Sequence, residues 1–132
     1  GGEVTYHGPG QIVIYFLLDV KKLNCGPNKL VATIQDFMKE LLLKLSIDCD
    51  FKDGAPGVYV DKKKIASIGF RISKGKSYHG ISLNFDMDLS PFKQINPCGY
   101  EGLEVTQIKD LNKDISKLQL HEIIIDLLRK VF

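Results

Sequence analysis

The sequence predicts an α+β domain in which a mixed, largely antiparallel sheet is flanked by helices. Three observations carry this expectation. The runs Lys64–Ile72 and Ser77–Phe85 each alternate in side-chain character and are separated by Ser73-Lys74-Gly75-Lys76, which is the pattern of a β-hairpin. Leu30, Ile34, Phe37, Met38, Leu41, Leu42 and Leu45 recur at three- and four-residue steps, one apolar stripe on a helix over 30–45. Ser116-Lys117-Leu118-Gln119 has the form of a capping box and opens a last helix with a stripe of Leu120, Ile124, Leu127, Leu128 and Val131.

Composition narrows the class. A chain of 132 residues fits one domain spanning 1–132. A hydrophobic content of 44% beside 26% charged residues suffices for the core of a soluble globular protein. The net charge of +2, from 18 basic and 16 acidic residues, is too mild to argue for nucleic acid. No run approaches a membrane span, and no secretory signal is visible. Cys25, Cys49 and Cys98 are odd in number and irregular in spacing, which argues against a disulfide framework and for the reducing cytoplasm. No CxxC or HxxxH spacing offers a metal site. The chain opens on Gly1-Gly2 without methionine, on what reads as the end of a turn entering a strand; a further segment is expected upstream.

The elements follow in order. Val4-Thr5-Tyr6 favours extended backbone. His7-Gly8-Pro9-Gly10 is a loop, read either as a hairpin turn or as a backbone-rich cradle. Gln11–Leu18 is apolar on both faces and predicts a buried central strand. Lys21-Lys22 begins a loop that runs through Gly26-Pro27, and Asn28 is the expected N-cap of the first helix. Asp53–Gly57 turns into a short strand, Val58-Tyr59-Val60, and Asp61-Lys62-Lys63 turns back. One helical turn is expected near Pro91-Phe92, and a short strand over Leu103–Thr106.

Three places hold candidate chemistry. Asn96-Pro97-Cys98-Gly99-Tyr100 sets a cysteine between a residue of fixed φ and one that permits a tight turn, so its thiol is held and reachable. Lys64 starts its strand on the apolar side; it reads first as a snorkelling lysine and second as a desolvated amine with a role. Gly69 and Gly80 interrupt alternating strands, which signals close approach to the backbone. His79 on the second hairpin strand is read as structural before catalytic.

These segments in combination resemble the lipoyl(octanoyl) transferases. The resemblance rests on Gly1-Gly2-Glu3-Val4-Thr5-Tyr6-His7-Gly8-Pro9-Gly10-Gln11 and on Gly57-Val58-Tyr59-Val60 followed by Lys63-Lys64-Ile65-Ala66-Ser67-Ile68-Gly69. His79-Gly80, Leu83-Asn84, Met87-Asp88-Leu89-Ser90-Pro91-Phe92 and Ile95-Asn96-Pro97-Cys98-Gly99-Tyr100 extend it in the family's order. The last thirty or so residues carry none of it. The family bears a longer N-terminal segment, with an arginine directly before the first glycine pair; the pattern here opens on that pair, in keeping with the segment expected upstream.

The resemblance implies an α/β fold like that of the biotin and lipoate protein ligases. It implies transfer of an octanoyl group from octanoyl-acyl carrier protein to a lysine of the lipoyl domains of 2-oxoacid dehydrogenases and of the glycine cleavage H protein. No cofactor is implied, and the enzyme is expected as a monomer away from membranes. By position, Cys98 matches the acyl-thioester cysteine and Lys64 the catalytic lysine. The substrate-binding segments map to Gly1, Gly2, Glu3, Val4, Thr5, Tyr6 and His7, to Ser67, Ile68 and Gly69, and to Gly80, Ile81 and Ser82.

Passing an acyl group between two thioesters is nearly isoenergetic, and ending on an amide is downhill, so no nucleotide is needed. A thiolate is the nucleophile, and Lys64 is expected to serve both half-reactions of a ping-pong scheme. Backbone N–H groups near Cys98, Ser67–Gly69 or Gly80 are candidate oxyanion donors. Lys21-Lys22, Lys62-Lys63, Arg71, Lys74 and Lys76 form an expected docking rim for acidic protein substrates, or are merely solvated turn lysines. The alternatives are an ATP-dependent lipoate-protein ligase, in which His-Asp usually stands where this chain has His7-Gly8, and a non-catalytic acyl-carrier-binding fragment. A cysteine hydrolase is less favoured, because no histidine–acid pair stands out beside Cys98.

Overall fold

A computed structural model describes residues 5–95 and 102–132. Among the described residues, five strands form one sheet in the order β1-β5-β4-β3-β2: β1 (Gln11–Tyr15), β2 (Asp50–Lys52), β3 (Ala55–Val60), β4 (Lys63–Ser73) and β5 (Lys76–Asn84). Every named pair is antiparallel. One isolated parallel bridge, Lys64 to Val105, makes the pairing mixed. The helices among the described residues are α1 (Pro27–Lys44), α2 (Ile108–Leu111) and α3 (Lys117–Val131), with a 3₁₀ turn over Ser90–Gln94.

Turn chemistry builds the meander from β2 to β5. Asp61 and Lys62 join β3 to β4 at φ 47° and 68°, and Lys74 and Gly75 join β4 to β5 at φ 51° and 76°. Two successive positive φ values give the twist that tight antiparallel strands need. The register of β4 on β5 then holds from Ala66 opposite Leu83 to Ser73 opposite Lys76.

Helix α1 buries the expected stripe from Leu30 to Leu42, with Leu45 buried beyond its end. Its start differs from expectation. Gly26 is the N-cap and Pro27 occupies the first turn, so Asn28 lies inside the helix. Proline suits that place because its missing N–H would have no partner there. The helix ends in a Schellman arrangement: Ile47 N–H donates to Leu42 O at 2.9 Å, Ser46 N–H to Leu43 O at 3.0 Å, and Ser46 takes φ 61°. At α3 the capping box is present on both sides, with Gln119 N–H donating to Ser116 Oγ at 3.1 Å and Ser116 N–H to Gln119 Oε1 at 2.8 Å.

One face of the hairpin, through Ala66, Ile68, Ile81 and Leu83, joins the stripes of α1 and α3 in a single buried cluster. The alternate residues, Ser67, Gly69, Gly80 and Ser82, point to the other face.

Several expectations are corrected. The Gln11–Leu18 strand is shorter and lies at the edge of the described sheet, not at its centre: Val13, Tyr15 and Leu17 are 41%, 67% and 74% exposed. Its regular pairing stops at Tyr15 because the Ser77 hydroxyl intervenes, accepting from Leu18 N–H at 3.0 Å and donating to Phe16 O. Thr5 and Tyr6 lie outside any strand; the Tyr6 ring instead folds over Gly8 and meets Phe92 edge-on at 5.4 Å. Leu103–Thr106 makes only the bridge at Val105. The periodicity gave no sign of β2 or α2, each too short to show a repeat.

Candidate functional site

Hairpin register assembles the site. Ser67 lies opposite Ser82, Ile68 opposite Ile81, and Gly69 opposite Gly80. Two segments separated in sequence thus meet residue for residue. Strand β1 extends the same surface, with Val13 opposite Ser82 and Tyr15 opposite Gly80. Glycines and serines at the middle of a sheet face, with Val13 and Tyr15 beside them, leave a trough. It is a cleft of about 600 Å³ that all six residues of the two segments line, together with Thr5 and His7. A second hollow of about 580 Å³ lies between the start of α1 and strands β3 and β4; it shares Pro56, Ile68 and Phe70 with the cleft.

The glycines have specific reasons. A side chain at Gly80 would overlap the Ile14 carbonyl oxygen and come within 3.0 Å of the Phe16 ring, so β1 is what approaches this glycine. In the His7–Gly10 loop, Gly8 makes room for the Tyr6 ring. Gly10, at φ 84°, makes room for the Asp86 carbonyl, while Asp86 N–H donates to Gly10 O at 3.0 Å. The loop is therefore shaped by its own chain. At Gly57, φ 145°, an added Cβ would stand 2.6 Å from Lys64 Cε and 3.3 Å from Nζ. The lysine tail lies across this bare backbone.

Lys64 is 2% exposed, so the snorkelling reading is corrected in favour of a buried amine. Its backbone is clamped on both sides: Lys64 N–H donates to Glu104 O and Thr106 N–H to Lys64 O, each at 2.9 Å. No buried side-chain nitrogen or oxygen among the described residues lacks a partner, Lys64 included.

Cys98 and Gly1, Gly2, Glu3 and Val4 lie outside the described residues. Tyr6 is not among the residues that line the cleft. The described cysteines lie elsewhere. Cys49 is in the core, and burial, with Asp48 next, pushes its thiol from 9.0 up to about 11. Cys25 sits before α1, its Sγ 3.8 Å from Gly26 O. Neither lines the cleft.

Sequence reasoning named His79 as structural before catalytic, without its conformation, and passed over the pairing of Gln11 with Asn84. His79 is exposed at the cleft with φ 63°, a conformation rare outside glycine and uncommon within a strand. Gln11 and Asn84 are cross-strand partners, and Gln11 Nε2 donates to Asn84 Oδ1 at 3.0 Å. Both sit inside the quoted motifs, but only the register brings them together.

The sheet order, its open face and the helices behind it define the fold of the biotin and lipoate protein ligases. A bipartite lipoate protein ligase from Thermoplasma acidophilum superposes with a TM-score of 0.76 at 16% identity, over 99% of this chain and 55% of that one. The apo biotin protein ligase from Aquifex aeolicus gives 0.70 at 18% identity, over 92% and 52%. At the level of family, residues 1–130 match the lipoyl protein ligase A/B catalytic domain, and the chain belongs to that family. Among curated relatives, the octanoyltransferase of Dechloromonas aromatica (strain RCB) is 58% identical over 112 residues, 85% of this chain and 55% of that protein. That of Vesicomyosocius okutanii is 52% identical over 120 residues, covering 91% and 59%. The chain spans about half the length of the curated relatives it matches. No helix among the described residues is long and apolar enough to cross a membrane.

Proposed function

We propose that this chain is the catalytic domain of an octanoyltransferase, moving an octanoyl group from acyl carrier protein to a lipoyl-domain lysine through a thioester on Cys98. The observation that carries the reading is its 58% identity to a curated octanoyltransferase along 85% of its length. The cleft supports it. An acyl thioester needs an apolar trough with backbone exposed near the carbonyl, and the Ser67–Gly69 and Gly80–Ser82 pairing has that form. Each buried methylene of the acyl chain contributes about 0.8 kcal/mol.

In the first half-reaction the Cys98 thiolate attacks the donor carbonyl, the carrier's C–S bond breaks, and the carrier thiol leaves with a proton supplied by Lys64. In the second, the recipient amine attacks the Cys98 thioester, the C–N bond forms and the C–S bond breaks, and the excess proton on nitrogen passes to the neutral Lys64, which restores the ammonium and leaves the cysteine as thiolate. A cation beside a thiol favours the thiolate. Burial of Lys64 suits this, because an ammonium out of water acts more strongly on its neighbour.

The test separates carrier-dependent transfer from ligation. The chain is supplied with apo lipoyl domain and either octanoyl-acyl carrier protein or octanoate with ATP. Modification with the carrier donor alone is expected. Modification only with octanoate and ATP would contradict the reading and favour a ligase, the activity named for several structures of this fold.

A further inference from the structure

A chain of hydrogen bonds runs from the clamp on Lys64 to the mouth of the cleft, and its polarity can be read from one end. Thr106 N–H donates to Lys64 O at 2.9 Å, and Thr106 O accepts from Asn84 Nδ2 at 3.1 Å. A backbone carbonyl only accepts, so the nitrogen of the Asn84 amide must face Thr106 and Oδ1 must face Gln11. Gln11 Nε2 then donates to Asn84 Oδ1 at 3.0 Å and also reaches the Tyr6 carbonyl at 3.4 Å. That leaves Gln11 Oε1 toward His7 Nδ1, 2.8 Å away. An amide oxygen cannot donate, so Nδ1 must carry the proton. In the neutral ring Nε2 is then left with a lone pair.

We propose that this relay holds His7 as the Nδ1–H tautomer, and that Nε2 takes a proton from the recipient lysine amine in the second half-reaction. His7 lines the cleft, and Nε2 makes no hydrogen bond among the described residues. The role rests on the acyltransfer reading; the tautomer does not. The step balances. The recipient ammonium gives one proton to Nε2, leaving a neutral amine and an imidazolium. The amine attacks the thioester carbon on Cys98, the C–N bond forms and the C–S bond breaks. The remaining excess proton on nitrogen goes to the neutral Lys64, the sulfur departs as thiolate, and the imidazolium returns its proton to solvent. Gln11 and Asn84 act through His7 and are positioning residues. Asn84, 4% exposed, is fixed by the core, and Gln11 transmits that fixed orientation to the ring.

Two readouts on the full chain test this. Long-range ¹⁵N–¹H spectra of the neutral histidine rings distinguish the two tautomers, with His7→Gln identifying the His7 signals among the three histidines. The wild type is expected to show Nδ1–H at His7. Gln11→Leu is expected to shift the ring toward Nε2–H, and Gln11→Glu, which can still accept, to retain Nδ1–H. Nε2–H in the wild type overturns the proposal. In the second readout, acyl loading and amine transfer are timed separately. Gln11→Leu is expected to slow transfer about tenfold, the scale of one lost hydrogen bond, with loading unchanged and the Glu variant partly restoring the rate. Loading slowed with transfer intact overturns the role of Nε2. If the wild type forms no acyl adduct at all, the acyltransfer reading falls and takes that role with it, while the spectrum still decides the tautomer.

Discussion

Lys64 owes its place to a residue with no side chain. The lysine tail crosses Gly57, and any Cβ there would press on its Cε while forcing a strained φ. On the acyltransfer proposal, Gly57→Ala is expected to displace the amine and cut the rate of acyl loading by about a hundredfold, the scale of a misplaced group at a reacting centre, measured in a single-turnover assay. Cys49 shows the opposite use of burial. With its thiol raised from 9.0 to about 11, it is protonated throughout the neutral range and is expected to resist alkylation in the folded protein while Cys25 reacts. The linkage sign follows. A thiol whose pKa is higher folded than unfolded adds stability below pH 9.0 and loses it as pH rises to about 11. Denaturant melts should show that loss, and Cys49→Ala should flatten it. Alternation in the sequence exposed Lys64 as anomalous, but snorkelling is the common fate of a strand-end lysine. Only the clamp by Glu104 and Thr106, forty residues away in the chain, decides for burial.

The elements divide by whether their signal is local. The α1 and α3 stripes, the S-x-x-Q box and the alternating hairpin announced themselves, because helix period, cap and strand period are written in adjacent residues. Ser116→Ala removes one half of a satisfied box and is expected to cost about 1 kcal/mol in equilibrium unfolding. Leu41→Ala, at a position with 0% exposure, is expected to cost about 3 kcal/mol. Strand β1 departs from the expected central strand because an apolar run says nothing of what covers each face, and one face of this strand is open. Gly80 was flagged for close approach, yet only the structure names β1 as the approaching backbone. Gly80→Ala should therefore loosen β1 first, seen as faster amide exchange over Gln11–Tyr15 than over β4.

At the scale of the molecule, helices and core occupy one side of the sheet, and the cleft opens on the other. The basic residues also divide. Arg71, Lys74 and Lys76 gather at one end of the hairpin, where the Lys21 side chain lies over Gly75, its Cδ 2.8 Å from where a Cβ would stand; Lys62 in the β3–β4 turn and Lys63 at the start of β4 lie at the far end. Arg71 lines the cleft. If an acidic carrier docks here, Lys74→Glu with Lys76→Glu should raise its KM several-fold at low salt and lose that effect at high salt, with Lys62→Glu and Lys63→Glu nearly silent. The motifs that carried the family resemblance were legible in sequence, while the pairing that turns them into one trough required register. The central claim is acyl transfer through Cys98, and intact-mass spectrometry after mixing with octanoyl-acyl carrier protein tests it most directly. The account predicts one hydroxylamine-labile octanoyl adduct that is kept in Cys25→Ala and Cys49→Ala and lost in Cys98→Ala; an adduct that survives Cys98→Ala, or none in the wild type, would contradict it.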